Sequence, residues 1–205
     1  MKEEQAILNY FRQPGFERFL KLLELQYAAS KDGARGYVTI TNITDVERST
    51  LDGFYGTYSP PVPGENRRYS LRKFEKLLKL SRFELSVPEL LALLRGEPVL
   101  TRQEQMMRIH AEWRNCIQAA VEEAGAAGAV DPRVLNWTQG LIEETGPGAR
   151  TLRTVFAKSP EEARQCLKSC VMALGRAARQ QDNRPIRLPV LSAAVTGDAH
   201  ALDWK

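Results

Sequence analysis

The chain has 205 residues, of which 43% are hydrophobic and 26% are charged. This composition indicates a globular protein with a sizeable core, and it excludes a disordered chain. No apolar run reaches the roughly 18–20 residues that span a bilayer, so no membrane partner is expected. The three cysteines are too few for a disulfide framework and favour a reducing, cytoplasmic location.

Charge is distributed unevenly along the chain. Segment 66–82 contains seven basic residues and one acidic residue, and segment 148–187 contains nine basic and three acidic residues. Segment 103–147, which separates them, contains three basic and seven acidic residues. The net charge of +4 therefore hides two segments that each have six more basic than acidic residues, and such segments suit a polyanionic partner.

The first half of the chain alternates helical patterns with one clear strand. In the second helix, apolar residues from Phe16 to Tyr27 recur at the spacing of one helical face. The strand is rich in β-branched residues, and Thr44 with Glu47 has the spacing of a capping box. The predicted elements are helix 2–12, helix 15–29, strand 37–41, a helix from Thr44 to near Gly53 or Gly56, a Pro-rich loop over 58–64, helix 71–80 capped by Ser70, and a helix from Ser86–Pro88 to Gly96.

The second half predicts longer helices. Residues 101–124 form the longest helix, Pro132 opens a helix that extends to about Glu144, and Pro160 opens the last long helix. The linker 180–185 is polar, and the closing run turns at Thr196–Asp198. The buried stripes are expected to be Met106, Ile109, Trp113, Ile117 and Ala120 in the first of these helices, and Ala163, Leu167, Val171 and Leu174 in the last.

These patterns predict a mainly α fold with one or two short strands. Over residues 37–82, the order of a strand, a capped helix and a basic helix is compatible with a winged-helix-like element. We expect one compact domain overall. Its predicted segments are 1–56 with the N-terminal helices and strand, 57–100 with the basic helix, 101–187 with the long helices, and 188–205 as a closing segment.

The basic residues around helix 71–80 form the main candidate site. Three of them recur at i, i+4 and i+7, so they share an outward face of the helix. Clustered cations on long side chains are what binding of nucleic-acid phosphates requires. A solvated helix face is the alternative interpretation. The predicted DNA-binding residues are Arg67, Arg68, Arg72, Lys73, Lys76, Lys79 and Arg82.

Other candidate sites are weaker. The second basic zone is dispersed and is interpreted as ordinary helix surface, with docking of an acidic partner as the alternative. Cys166 and Cys170 share a helix face but have no third metal ligand at suitable spacing, so they are expected to be buried packing residues. Asp198, His200 and Asp203 could bind a metal or act as acid and base, but turn capping is the favoured interpretation.

Several segments in order, together with the closing run, resemble the N-terminal domain of JetD-like subunits of Wadjet plasmid-defence systems. The likeness spans nearly the whole chain. It is carried by Tyr10–Phe11 with Pro14–Phe16, Val38–Asn42 with Glu47, Arg48 and Leu51, Leu77, Leu80–Phe83, Gly96, Pro98, Trp113, Gly148–Arg153, Arg187–Val190 and Thr196–Asp203.

The resemblance implies a region that precedes a DNA-cleavage core. In that family, a winged-helix domain is followed by a Toprim domain like that of the topoisomerase VI A subunit, whose carboxylates bind magnesium and cut DNA. Partner subunits form an SMC-type loop-extruding complex. This chain lacks a Toprim segment, so the resemblance implies no catalytic residue, no cofactor in the chain itself, and magnesium only in the absent core.

The first hypothesis is therefore a noncatalytic arm that binds the backbone of double-stranded DNA or assembles with SMC-type complex subunits. A protein-binding or dimerisation module, in which a homodimer pairs acidic and basic segments, is the second hypothesis. The third is a small metal-dependent hydrolase that uses Asp198, His200 and Asp203.

Overall fold

A computed structural model describes residues 2–58, 60, 62, 64–126, 131–179 and 185–202. Over these residues the chain forms ten helices and one two-stranded sheet, which confirms the predicted mainly α fold with short strands. The elements are α1 (Lys2–Phe11), α2 (Pro14–Ala29), β1 (Tyr37–Ile40), α3 (Asp45–Tyr55), β2 (Arg67–Ser70), α4 (Leu71–Leu80), α5 (Val87–Arg95), α6 (Arg102–Gly125), α7 (Pro132–Ile142), α8 (Ala149–Lys158), α9 (Pro160–Arg179) and α10 (Leu188–Thr196).

The chain divides into two compact units, Met1–Met107 and Arg108–Lys205, and α6 contains the dividing point. This point falls inside the predicted long-helix segment 101–187. The finer boundaries at residues 56, 100 and 187 stay predictions. None of the described helices is long and apolar enough to cross a membrane.

The first unit has an aromatic core. The apolar face predicted for α2 is buried from Phe16 to Tyr27. The ring of Phe74 lies 4.9 Å from that of Phe19 and 5.0 Å from that of Phe54, measured between centroids. Aromatic side chains bury more area than any other type, so these rings dominate the packing energy of the unit.

The two strands pair antiparallel and present opposite faces. Val38 lies opposite Tyr69 with both side chains buried, and Thr39 lies opposite Arg68 with both side chains exposed. In chain order, β1, α3, β2 and α4 form a strand–helix–strand–helix unit. Among the described residues, the sheet has no third strand that would make the hairpin of a winged helix. Strand β2 runs directly into α4 at Leu71, so the strand pairing sets the position of the first residue of α4.

Helix ends in this unit follow the predicted capping chemistry. The hydroxyl of Thr44 accepts from the Glu47 N–H at 3.2 Å, and the Glu47 carboxylate accepts from the Thr44 N–H at 2.9 Å. Helix α3 ends at Gly56, whose φ of 61° lies in the left-handed region that glycine adopts readily. The same reciprocal pairing joins Thr101 and Glu104 at the start of α6.

The second unit packs small and aliphatic residues around one tryptophan. Trp113 is buried, its ring lies 5.2 Å from that of Phe156, and its Nε1–H donates to the Leu141 carbonyl at 3.0 Å. Ala120 and Ala163 are fully buried in the same cluster. Trp113 is therefore a core residue, as its position in the helical pattern indicated.

Three predicted core positions are wrong. Met106 and Ile109 are 48% and 41% exposed, and Leu174 is 42% exposed. Helix α6 has 24 residues, about 36 Å, and its buried residues are confined to the part between Trp113 and Ala124. The buried side of α6 begins at Trp113.

Two helices had no clear counterpart in the sequence patterns, α8 and α10. Helix α8 begins immediately after the Gly–Pro–Gly turn that ends the preceding helix, and α10 lies within the closing run. The predicted turn after it is present, since Gly197 has a φ of 81°. Parts of the predicted loop 58–64 and linker 180–185, together with Arg184 and Asp203, lie outside the described residues.

Candidate nucleic-acid interface

Helix α4 has a buried side and a cationic side. Leu71, Phe74 and Leu78 are fully buried. At about 100° of rotation per residue, the opposite side falls to the four basic residues of the helix. These are Arg72, Lys73, Lys76 and Lys79, all of them exposed.

Local contacts hold this helix in a fixed orientation. The Ser70 hydroxyl accepts from the Lys73 N–H at 3.4 Å, and the Leu71 N–H donates to the Gly36 carbonyl at 3.0 Å. The second bond ties the start of the helix to the residue that precedes β1. Side chains on a helix anchored by both a core ring and a strand pair are positioned in advance of binding, which lowers the entropic cost of binding.

Three of these cations are available for a ligand. Arg72, Lys73 and Lys76 form no ion pair with any described residue, although the Lys73 ammonium also lies 5.7 Å from the centre of the Tyr55 ring. Lys79 pairs with Glu75 at 3.1 Å, but both side chains reach solvent. An exposed pair of this kind contributes little energy, so Lys79 can exchange its partner.

Strand β2 adds one more cation, Arg68, on the exposed face of the two-stranded sheet, where it lies opposite Thr39. The Arg68 guanidinium lies 4.6 Å from the centre of the Tyr37 ring and forms no ion pair with the described residues. Tyr37 is 54% exposed, so the pair forms a flat, accessible surface. We call Arg68, Arg72, Lys73, Lys76 and Lys79 the basic face.

Arg67 does not belong to this surface. Its guanidinium donates to both carboxylate oxygens of Asp52, at 2.7 and 2.9 Å, and its side chain is only 17% exposed. Burial, the largest single influence, would lower the pKa of Arg67, but hydrogen bonds to Asp52, Tyr69 and Glu65 together with the charge of Asp52 raise the pKa above its usual value. Arg67 is therefore part of the scaffold, and we leave it out of the proposed interface.

Arg82 follows the end of α4. Its guanidinium lies 4.8 Å from the centre of the Phe83 ring and 5.8 Å from that of Tyr10, and the side chain is exposed. It covers aromatic surface while its charge remains in solvent. An arginine at this position can therefore stabilise the fold by covering the two rings, whether or not its charge also contacts a ligand.

The sequence patterns missed two cations beside the basic face. Lys31 and Arg35, from the loop before β1, line a cavity of about 630 Å³ together with Arg72. The same cavity is lined by Glu75 and Glu104, so its charge is mixed. Sequence distance hid this proximity, since some forty residues separate the loop from α4, and only the β1–β2 pairing brings them together.

The second basic zone is partly neutralised within the structure, by ion pairs that concentrate on two of its cations. Arg164 pairs with Glu161 at 2.8 Å and also with Glu123, and Lys168 pairs with Glu123 at 3.2 Å. Arg153 lies over the Trp113 ring. The described cations without ion-pair partners, such as Arg150, Lys158 and Arg176, are spread over α8 and α9. The interpretation as dispersed helix surface agrees with this geometry.

The cysteine pair is less buried than expected. Cys166 is exposed and Cys170 is half-buried, so the prediction that both are buried packing residues is wrong for Cys166. A hydrogen bond between the two thiols lowers the pKa of Cys166 to about 6 and raises that of Cys170. Among the described residues, no group of three or more His, Cys, Asp or Glu side chains could hold a metal ion.

The closing cluster acts as a turn. The Asp198 carboxylate accepts from the His200 N–H at 2.9 Å, and the Asp198 carbonyl accepts from the hydroxyl of Ser192 at 2.6 Å. Ser192 is fully buried and also accepts from the Leu202 N–H. These bonds fold the turn back onto α10, whereas Asp203 lies outside the described residues.

Comparison with known proteins gives one match. A family model described as "Protein of unknown function N-terminus (DUF3323)" matches residues 34–205. The chain belongs to the DUF3323 family. No curated protein matches it, and no solved structure matches it. The matched DUF3323 region includes β1, β2 and the whole basic face.

Proposed function

We propose that this DUF3323 chain is the noncatalytic N-terminal arm of a JetD-like, anti-plasmid nuclease subunit in the cytoplasm, and that its basic face holds double-stranded DNA by the phosphate backbone. In this proposal a Toprim core outside the chain binds magnesium and breaks the DNA, and an SMC-type complex delivers it. The family description, which names an N-terminus, supports the place of the region in a longer protein.

The observation that carries the DNA proposal is the set of exposed cations on helix α4, three of which have no ion pair with described residues. Arg72 and Lys79 are seven residues apart, so their Cα atoms are separated by about 10 Å along the helix axis. Successive phosphates of one strand are about 3.4 Å apart along the DNA axis, so the helix can run beside roughly three of them. Nothing in this arrangement reads base edges, so we expect binding that is insensitive to DNA sequence.

Salt dependence of binding tests the proposal. The full chain is titrated against a fluorescein-labelled 20-base-pair duplex, and anisotropy is followed at several salt concentrations. Each phosphate contact contributes about −0.9 to the slope of log K against log salt, so the basic face predicts a slope near −4. The triple variant Arg72→Glu, Lys73→Glu, Lys76→Glu is expected to reduce the magnitude of the slope by about 3.

The second basic zone supplies a matched control. The variant Arg150→Glu, Lys158→Glu, Arg176→Glu makes the same change in net charge at exposed helix positions without ion pairs to described residues. We expect its affinity and slope to stay within twofold and about 0.5 of the parent values. Equal losses in the two triple variants would mean that net charge alone attracts DNA, and the basic face would lose its assignment.

A further inference from the structure

The first unit also contains an apolar groove on elements other than the basic face. It lies between α1 and α5, with a volume of about 670 Å³, which falls in the roughly 300–1,000 Å³ range of ligand sites. Its apolar lining includes Ile7, Phe83, Leu85 and Leu93. The last three side chains are only partly covered by the core, so the groove offers apolar surface to a partner.

The polar lining of this groove has a single sign of charge. Glu3, Glu4, Glu89 and Glu97 line it, and its described lining residues include no lysine or arginine. Glu3 lies in the first turn of α1, Glu97 follows the end of α5, and both are exposed. Within the chain, Glu89 accepts hydrogen bonds from the N–H and hydroxyl of Ser86, and Glu97 pairs with the exposed Arg95 at 3.5 Å. The rim keeps an excess of carboxylates over cations, which repels a phosphate backbone and attracts a partner that carries both apolar and cationic groups.

From this combination we infer that the groove binds a basic amphipathic helix of a partner protein, with apolar residues on its floor and lysines or arginines against the four glutamates. Helix-in-groove recognition uses apolar anchors at i, i+3 or i+4, and i+7. Helix α5 has nine residues, about 13 Å, so two to three turns of a partner helix can lie along it. The inference stands independently of DNA binding, since no residue of the basic face lines the groove.

A model peptide tests the groove. The probe is an 18-residue, fluorescein-labelled helix with leucines at i, i+3, i+4 and i+7 and lysines elsewhere, and binding to the full chain is measured by anisotropy. The double variant Glu3→Lys, Glu97→Lys is expected to weaken binding roughly tenfold, because two rim attractions become repulsions. Leu93→Gln is expected to weaken binding without a change in charge, with circular dichroism as the check on folding.

The control variant changes charge equally at a distance from the groove. Glu17→Lys, Glu122→Lys alters two exposed glutamates that do not line it, and binding of the peptide is expected to change less than twofold. A scrambled peptide of the same composition is expected to bind at least tenfold more weakly. Equal losses in the two double variants, equal binding of the scrambled peptide, or no binding of the helical peptide would each overturn the inference.

Discussion

The two basic zones of this chain have similar charge in sequence and different chemistry in the structure. Around α4, Arg72, Lys73 and Lys76 point away from a buried helix face and have no carboxylate partner among the described residues. Around α9, Arg164 and Lys168 share the carboxylate of Glu123. A count of charges along the sequence cannot separate these cases, because the acid that pairs with Arg164 and Lys168 comes from a different helix, while other cations of the zone, such as Arg150 and Arg176, stay without an ion pair to described residues.

The difference extends to the scaffolds beneath the two zones. In the first unit, rings of Phe19, Phe54 and Phe74 hold α4, and the partly buried Arg67 of strand β2 is bound by Asp52. One group of cations is therefore used to build the element, and a separate group is left for a ligand. This separation of structural ion pairs from cations without partners is what the proposed DNA binding requires of the segment.

Removal of the central ring of the first scaffold should have the largest effect. Phe74→Ala is expected to cost about 3–5 kcal/mol of unfolding free energy, because a fully buried ring leaves a cavity among its neighbours. Urea denaturation measures this loss. Phe156→Ala is the comparison in the second unit, where the ring contacts Trp113. We expect Phe74→Ala alone to weaken DNA binding under conditions where both variants are folded. Equal weakening by both would separate DNA binding from the α4 scaffold.

The ion pair that anchors β2 should have the next largest effect. Asp52→Ala leaves the Arg67 guanidinium without its main partner at a side chain only 17% exposed, and loss of one partner of a buried pair costs about 3–5 kcal/mol. Because the site retains some solvent and Glu65, we expect about 2–3 kcal/mol by urea denaturation. The double variant Asp52→Ala, Arg67→Met should recover part of the loss. A cost below 1 kcal/mol for Asp52→Ala would contradict the structural role of Arg67.

Local sequence signals predicted much of the first unit. The capping pair Thr44 and Glu47, the hydroxyl of Ser70 and the apolar spacing from Phe16 to Tyr27 all have structural counterparts. These features depend on residues within one or two turns of each other. The outward position of the α4 cations followed from helical spacing for the same reason.

Features that depend on distant residues could not be predicted. The partner of Arg67 is fifteen residues away on α3, and helical spacing gives no sign of it. The exposed Met106 and Ile109 have the same periodicity as the buried Trp113, so the spacing cannot show where along α6 its buried side begins. The groove between α1 and α5 likewise joins segments some eighty residues apart.

Acid should weaken the capping of the first unit by a smaller amount. Although burial opposes it, the hydrogen bonds from Thr44 and Arg18 lower the pKa of Glu47 below its usual value. Its contribution to stability is therefore complete above about pH 4.5 and is lost as the pH falls towards the lower folded-state pKa. Glu47→Gln, which retains a capping acceptor, should cost about 1 kcal/mol at pH 7 and much less at pH 3. A cost independent of pH in urea denaturation would show that the charge of Glu47 contributes nothing.

The smallest effect on stability is expected from removing the carboxylate of Glu123, which pairs with Arg164 and Lys168. Glu123→Gln removes the carboxylate shared by Arg164 and Lys168, but all three side chains are about one third exposed. Surface pairs of this kind contribute about 0.2–1 kcal/mol, so the unfolding free energy should fall by less than 1 kcal/mol. Thermal and urea denaturation of the full chain measure the change, with Glu122→Gln as the neighbouring exposed control.

The same Glu123→Gln variant tests why the two zones differ. Arg164 keeps its pair with Glu161, so only Lys168 becomes free, and the salt slope of DNA binding should steepen by at most about 1. A steepening of 2 or more would mean that the carboxylate of Glu123 alone prevents the second zone from binding DNA. In that case the basic face would bind DNA because its cations lack acidic partners. The aromatic packing that holds α4 would not be needed for DNA binding.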